Sequence, residues 1–301
     1  MNKRYKIWRR ILIFWTIFIG TGAVGGALAM FIDPMGKSTG MEGFLPYFQA
    51  LPLSETLFGN LIFSGIMLLI VNGITNLCAA ALLIKKKKAG IISGGIFGIT
   101  LMTWIVIQFV ILPFNFMSTT YFVFGALQLI AAVVCYVGCR QSEFNFNPSD
   151  YENVGSNPKN LIVYYSRTGY TEKLAYEKAN ESGAAVFKLN TTEKTAGDLG
   201  FWWCGRFGME KLPMNLEDIP QNLEDYESVT LFSPTWVFGV SAPAREFIGK
   251  HGGSINNFGC VFTHFMGHSV KNLKKETERL CGKQILCEEY RMRFGVAKKI
   301  G

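Results

Sequence analysis

Charge is scarce in the first half of this 301-residue chain. Positions 89–139 contain no Asp, Glu, Lys, Arg or His, and the first 140 residues carry 3 acidic residues against 11 basic ones. Residues 141–301 carry 19 of each sign, so the formal net charge of +8 arises entirely before position 141. The basic residues there bracket apolar runs and are not interleaved with a binding surface, which excludes nucleic acid as a partner. Paired cysteine motifs are missing as well. The 7 cysteines never form a C-x-x-C pair, which excludes a zinc ribbon or an iron–sulfur cluster held by this chain alone. Cys78, Cys135 and Cys139 lie in or beside apolar runs, and Cys204, Cys260, Cys281 and Cys287 lie in the second half. None falls in the loops 32–56 and 113–120, so no disulfide framework is expected.

Four uncharged apolar runs fill the space that charge has left: 11–31, 57–84, 90–112 and 121–138. A helix of about 20 apolar residues spans the hydrocarbon of a bilayer, so each run is long enough, the last one barely. A large buried core in a soluble protein would show polar residues at helical spacing, and these runs do not. We therefore expect an all-α domain of four transmembrane helices over residues 1–140. Lys3, Arg4, Lys6, Arg9 and Arg10 precede the first run, Lys85, Lys86, Lys87 and Lys88 separate the second from the third, and Arg140 follows the fourth. Loop 32–56 has Lys37 alone, and loop 113–120 has no charge. By the positive-inside rule both termini are cytoplasmic, in a multi-pass protein of the cell membrane. Ala27-Leu28-Ala29 is similar to a signal-peptidase site, but the run before it is longer than a signal core, and an uncleaved anchor is expected.

Within the runs the polar residues are few. Asn72 and Asn76 stand one turn apart in the second, and Gln108 and Gln128 lie in the third and fourth. They form either a polar pocket or hydrogen bonds between helices. With no ionisable residue inside the runs, an ion or proton path is not supported.

Residues 141–160 read as a polar linker rich in Asn, Ser, Gly and Pro. Short apolar runs then alternate with helical patterns. Strands are expected at 161–165, 184–189, 229–233, 259–263 and 284–289, and helices at 172–182, 242–250 and 270–281. Such alternation predicts an α/β domain over 161–301 with a doubly wound parallel sheet of five strands. Ligands of these sheets bind at the carboxyl ends of the strands, where strand order switches.

The loop after the first strand is Ser166-Arg167-Thr168-Gly169-Tyr170-Thr171, running directly into a helix. Small hydroxyl residues and a glycine let the backbone wrap an anion, and the helix offers free N–H groups and the positive end of its dipole. A terminal phosphate suits this loop. It has neither the Gly-rich fingerprint of dinucleotide folds nor the Gly-Lys-Ser/Thr of nucleotide hydrolases.

From Ile162 to Thr171 the sequence resembles the phosphate-loop signature of the flavodoxin-like family. After the third strand, Ser233-Pro234-Thr235-Trp236-Val237-Phe238 is similar to that family's first flavin-ring loop. Thr263-His264-Phe265-Met266-Gly267-His268 occupies the place of the second. The resemblance implies strand order 2-1-3-4-5, a bound FMN, and these three loops as its binding residues. A flavin ring is a flat amphipathic plate, so Trp236 can stack on it while loop amides bond its polar edge. The function implied is electron transfer or quinone-reductase-type redox chemistry at the cytoplasmic membrane face, as an FMN-dependent oxidoreductase or electron carrier. Its partner would be a redox protein, NAD(P)H or a quinone. The alternative is a non-catalytic module that uses the fold for redox sensing or docking. With His264 and His268 beside the ring in a neutral domain, two-electron chemistry is expected.

Three features depart from the family pattern. The domain is neutral rather than acidic. An aromatic and glycine-rich stretch at 199–209 lies beside the expected flavin edge. Residues 291–301 are too short for the full closing helix, so one sheet face must be covered otherwise.

Overall fold

The structure, a computed structural model, describes residues 3–52, 54–219 and 222–300. The chain divides into two compact units, Met1–Glu143 and Phe144–Gly301.

The first unit is helical. Helix α1 spans Lys3–Ile32, α2 Ile62–Ile84, α3 Lys88–Ile111 and α4 Phe116–Glu143, and all four are long and apolar enough to cross a membrane. Short helices at Leu45–Gln49 and Ser54–Leu57 occupy the α1–α2 connection. The expected second span, 57–84, therefore begins later, at Ile62, and it is not uniformly α-helical: Leu69–Ile74 form a π-helical stretch. The outer helices extend past the apolar runs because flanking polar residues continue the backbone pattern at no cost outside the hydrocarbon. On α1, Leu12, Thr16, Ile19, Ala23 and Ala27 are buried, a stripe at three- and four-residue spacing that packs inward. Helix α1 continues unbroken through Ala27, which is fully buried.

The burial pattern is inside-out by the standards of a soluble core. On α3 the glycines Gly90, Gly94, Gly95 and Gly98 are buried, whereas Ile92, Ile96, Ile99, Ile107 and Val110 are exposed. Lipid is as apolar as Ile, so large side chains gain little by facing inward, and close backbone packing sets the interface instead. Gly98 on α3 and Gly125 on α4 face each other so closely that a Cβ on either would stand 2.9 Å from the other's carbonyl oxygen. One polar side chain joins three of the helices. Gln128 Nε2 donates to Asn76 Oδ1 at 2.9 Å and to the Gly94 carbonyl at 2.6 Å, which links α4, α2 and α3. Asn76 and Gln128 thus act as interhelical hydrogen bonds. Asn72 does not join them through its side chain.

The second unit holds a mostly parallel sheet. Its strands are β1 (Asn157–Tyr164), β2 (Ala184–Lys188), β3 (Ser228–Trp236), β4 (Gly239–Val240), β5 (Phe258–His264), β6 (Leu286–Arg293) and β7 (Val296–Ile300). The order is β2-β1-β3-β5-β6-β7, with β4 paired only to β3. The five parallel strands, β2-β1-β3-β5-β6, have the 2-1-3-4-5 order of a flavodoxin-like doubly wound sheet. The sheet has seven strands rather than the expected five. The last expected strand, 284–289, runs instead from Leu286 to Arg293, turns at Phe294-Gly295 and returns antiparallel as β7. The chain end therefore extends the sheet where a closing helix was in question. The alternation that buries Tyr290 and Met292 continues the period-two pattern past Glu289.

Helices α5 (Tyr170–Ser182), α6 (Gly197–Glu210), α7 (Ala242–His251) and α8 (Leu273–Cys281) complete the unit. Along β1, Leu161 and Val163 face one core with Leu231, Phe247, Phe258, Phe262 and Leu273. Ile162 and Tyr164 face the other, with Leu174, Ala175, Phe232 and Val261. Helix α5 packs on that second face, and a cleft of about 400 Å³ remains between α5 and β6, lined by Ile162, Lys178, Phe232, Val261 and Tyr290. Helix α6 falls in the 199–209 stretch, where Gly200, Gly205 and Gly208 lower helix propensity and hide it from a sequence reading. The expected linker narrows to 144–156, because α4 runs on to Glu143 and β1 begins at Asn157.

One buried ion pair ties α7 to α8. Arg245 Nη2 and Glu276 Oε1 lie 2.6 Å apart, with side chains 6 % and 10 % exposed. Arg245 Nη1 also donates to the Leu212 carbonyl beyond α6, and Glu276 Oε2 accepts from the Val240 N–H on β4. Glu276→Gln leaves the guanidinium buried without a counter-charge, and losing one partner of such a pair costs about 3–5 kcal/mol. We expect a clear drop in the near-UV circular dichroism melting midpoint of the purified full-length protein. An unchanged midpoint would show that water reaches the pair.

Candidate functional site

Three loops leave the carboxyl ends of β1, β3 and β5, which lie adjacent in the sheet, and β1 stands where strand order reverses. The first loop, after β1, turns at Gly169, whose φ of +86° makes it the left-handed N-cap of α5. No side chain caps that helix. Ser166 Oγ accepts from the Gly169 N–H at 3.0 Å, which closes the loop on itself. The first turn of α5 contains Glu172, an anion where a phosphate would be favoured. Its carboxylate is drawn away, accepting from the Tyr164 hydroxyl at 2.8 Å and standing 3.7 Å from Lys188 Nζ. The uncapped N–H groups and the positive helix end are thus left facing the loop.

The second loop is a two-residue hairpin. Thr235 pairs with Val240 and Trp236 with Gly239, so Val237 and Phe238 form the turn, at φ +46° and +61°. Positive φ at both central residues suits the twist of a hairpin, but Asn-Gly is the usual solution. A β-branched Val there is strained by roughly 1–3 kcal/mol. Helix α6 presses on this turn through Gly208, where a Cβ would stand 3.0 Å from Trp236 Cβ and Val237 Cγ2. Phe238 is 69 % exposed and Val237 47 %, so strain and packing together hold an apolar pair in the open.

The third loop begins at His264. Its Nε2 lies 2.9 Å from Glu289 Oε2 on β6, and that carboxylate also accepts from Ser269 Oγ and from the Val270 N–H. The Glu289 carboxylate therefore pins both ends of the loop. His264 is buried, and its Nδ1 has no hydrogen-bond partner among the described residues. Phe265 is exposed, edge-on to Phe294 at 5.9 Å and with Arg293 over its face at 5.2 Å.

The structure sorts the sequence-predicted residues by where their side chains go. Thr168, Val237, Phe238, Phe265, Gly267 and His268 are exposed, and Ser166, Arg167, Gly169, Tyr170, Pro234, Thr235, Trp236 and Met266 are half-buried. Thr171 and Thr263 are buried with their hydroxyls 2.8 Å apart, so these side chains join the first loop to the third. Ser233 is fully buried and bonded to Ser241 at 2.7 Å. Arg167 donates to the Gly197 carbonyl and lies 5.4 Å from the centre of the Phe201 ring, tying the first loop to α6. Trp236 stands edge-on to Tyr165 at 5.7 Å.

Sequence reasoning passed over Glu289, which closed the expected strand 284–289 and lies in the middle of β6, and Phe144, which lies in a polar stretch. The Phe144 ring packs edge-on to Tyr170 at 4.6 Å and within 2.9 Å of where a Gly169 Cβ would be. Both could have been flagged as residues out of keeping with their neighbours, a carboxylate facing His264 across the sheet and an aromatic among Asn and Ser. Burial pushes up the Tyr165 hydroxyl and the Cys204 thiol, so neither is a nucleophile near neutral pH. Among the described residues no cluster of His, Cys, Asp and Glu could hold a metal ion.

No protein-family model matches the chain, and no curated protein matches its sequence significantly. Solved structures that match it in fold include two flavoproteins. One, a provisionally named flavoprotein from Bacteroides eggerthii DSM 20697, is 21 % identical with a TM-score of 0.38, over 44 % of this chain and 86 % of the other. The second, a flavoprotein in complex with FMN from Lactobacillus acidophilus NCFM, is 20 % identical with a TM-score of 0.36, over 44 % of this chain and 92 % of the other.

If the β3–β4 turn is strained as its geometry indicates, Val237→Asn combined with Phe238→Gly should stabilise the protein by about 1 kcal/mol. The measurement is the thermal midpoint of the full-length double variant. A lower midpoint would mean that Val237 and Phe238 contribute more through contacts than they cost in backbone strain.

Proposed function

We propose that the α/β unit binds FMN across the ends of β1, β3 and β5, and that the chain is a membrane-anchored flavoprotein that transfers electrons at the membrane surface. The observation that carries this reading is the convergence of three loops at the switch in strand order, one of them opening an uncapped helix. The residues fit the cofactor part by part. Ser166, Thr168, Gly169 and the first N–H groups of α5 suit a terminal phosphate. Trp236, Phe238 and Phe265 offer aromatic surface to a flat ring, and the backbone of 264–268 offers hydrogen-bonding groups to its polar edge. FMN, when bound, would supply one- or two-electron transfer. The protein would supply position and electrostatics: Glu289 fixes the tautomer and orientation of His264, and any positive charge on that ring is offset by the carboxylate beside it. The sequence expectation of a lone cation near the flavin therefore loses part of its support.

Two tests follow. The purified protein should be yellow and release FMN, not FAD, on denaturation. Phe238→Ala should weaken FMN binding by about 1–3 kcal/mol, by analogy with base–aromatic stacking, whereas Trp236→Ala should weaken both FMN binding and the fold, because Trp236 packs on Tyr165. A colourless protein that takes up no FMN in titration would refute the assignment.

Sidedness is the second. The ten-to-one distribution of flanking basic residues supports a cytoplasmic α/β unit. A reporter active only outside the cytoplasm should work when fused after Met41 and stay silent when fused after Gly301. The reverse pattern would separate the unit from cytoplasmic reductants.

A further inference from the structure

The helical unit contains a cavity of about 490 Å³ that plays no part in the site above. It lies among the second half of α1, the first half of α2, the end of α3 and the start of α4, and reaches the loop at 39–48. This is the end of the bundle away from Glu143. Its walls are chiefly apolar and aromatic, with Met30, Phe44, Trp104 and Tyr121 among them, and no lining residue carries a charge. Its size and character fall in the ordinary range for small-molecule sites, which pair an apolar wall with a few placed polar groups.

Asn72 supplies the polar group that the bundle leaves unused. It lines the cavity and is 1 % exposed, and neither its Nδ2 nor its Oδ1 has a hydrogen-bond partner among the described residues. An unpaired amide in an apolar interior is destabilising, and its neighbour Asn76 shows that this bundle can pair such groups. Asn72 also sits within the π-helical stretch Leu69–Ile74, a local distortion that recurs at functional sites. Gln108 and Ser118 add a second polar patch on the wall, 3.4 Å from each other. Asp33 accepts from the N–H groups of Ser38 and Thr39, which holds in place the turn whose Thr39 and Gly40 line the cavity.

We infer that this cavity binds a neutral lipid-soluble molecule whose carbonyl or hydroxyl head hydrogen-bonds to Asn72 and whose apolar body lies against the aromatic wall. The absence of charge excludes anionic and cationic heads, because a buried ion without a partner is expensive. The unused amide offers both a donor and an acceptor, which a hydroxyl can fully use and a carbonyl can use in part. A quinone and an isoprenoid alcohol share this chemistry. The inference does not rest on FMN binding and is tested without reference to it.

The experiment uses the full-length protein in lipid nanodiscs with a diazirine-bearing farnesol analogue as the photo-crosslinking probe. Labelling should saturate and map to the cavity wall at residues such as Met30, Trp104 and Met117. Unlabelled farnesol and decylubiquinone are the competitors. Competition by one of them alone supports the site and names the head group, competition by both supports the shared chemistry, and competition by neither overturns the proposal. Decyltrimethylammonium competing equally well would also overturn it, as would unsaturable labelling spread over the outward-facing Ile107 and Val110. Asn72→Leu keeps the branched shape and removes the unpaired amide. It should weaken probe binding about tenfold, with a thermal midpoint equal to or above that of the parent. A lower midpoint with unchanged labelling would make Asn72 structural and refute the inference.

Discussion

A backbone N–H or C=O buried without a partner destabilises any fold, and the two halves of this chain meet that constraint in different solvents. In an apolar medium only structures that satisfy their own amides survive, so the first unit is built from long helices. The second unit satisfies its amides between strands, which makes pairing order the decisive quantity. Placing β1 between β2 and β3 brings the ends of β1, β3 and β5 side by side, and the three loops follow from that placement.

Three of the places where the constraint is met imperfectly coincide with candidate function. Helix α5 begins without a side-chain cap. The β3–β4 turn asks Val237 and Phe238 for a conformation that glycine adopts more readily. The π-helical stretch in α2 departs from the regular ladder and carries an unpaired amide. Elsewhere the same demands are answered locally. The exposed edge of β6 is covered by β7, Arg9 donates to the Leu83 carbonyl at the end of α2, and the Glu289 carboxylate gathers Ser269, Val270 and His264.

Packing follows two opposite rules in one chain. In the α/β unit the large side chains Phe247, Phe262, Leu231 and Leu174 fill the interior, because water outside drives them in. In the helical unit glycines and alanines share the interior with a few Leu and Ile, and most isoleucines face out. The same contrast explains why polar side chains matter so much in the bundle, where Gln128 alone links three helices.

By itself the sequence determined the helical character of the first unit and the strand–helix alternation of the second, because uncharged length and hydrophobic period are local properties. It also ordered the segments 166–171, 233–238 and 263–268 along the chain, although the second and third begin inside β3 and β5. Tertiary structure decided what depends on contacts distant in the chain. Helix α6 forms against the β3–β4 turn despite three glycines, and the last residues become a strand because β6 offers an unpaired edge. Thr171, Ser233, Thr263 and His264 are polar residues that the sequence assigns to loops but that lie in α5, β3 and β5, and their type says nothing of whether a partner waits inside. The fold supplied partners for all four, and their side chains turned inward to reach them. Asn72 and Asn76 make the same point in reverse. They are identical residues four positions apart on one helix, and only the positions of Gln128 and the cavity separate a packing contact from an open polar group.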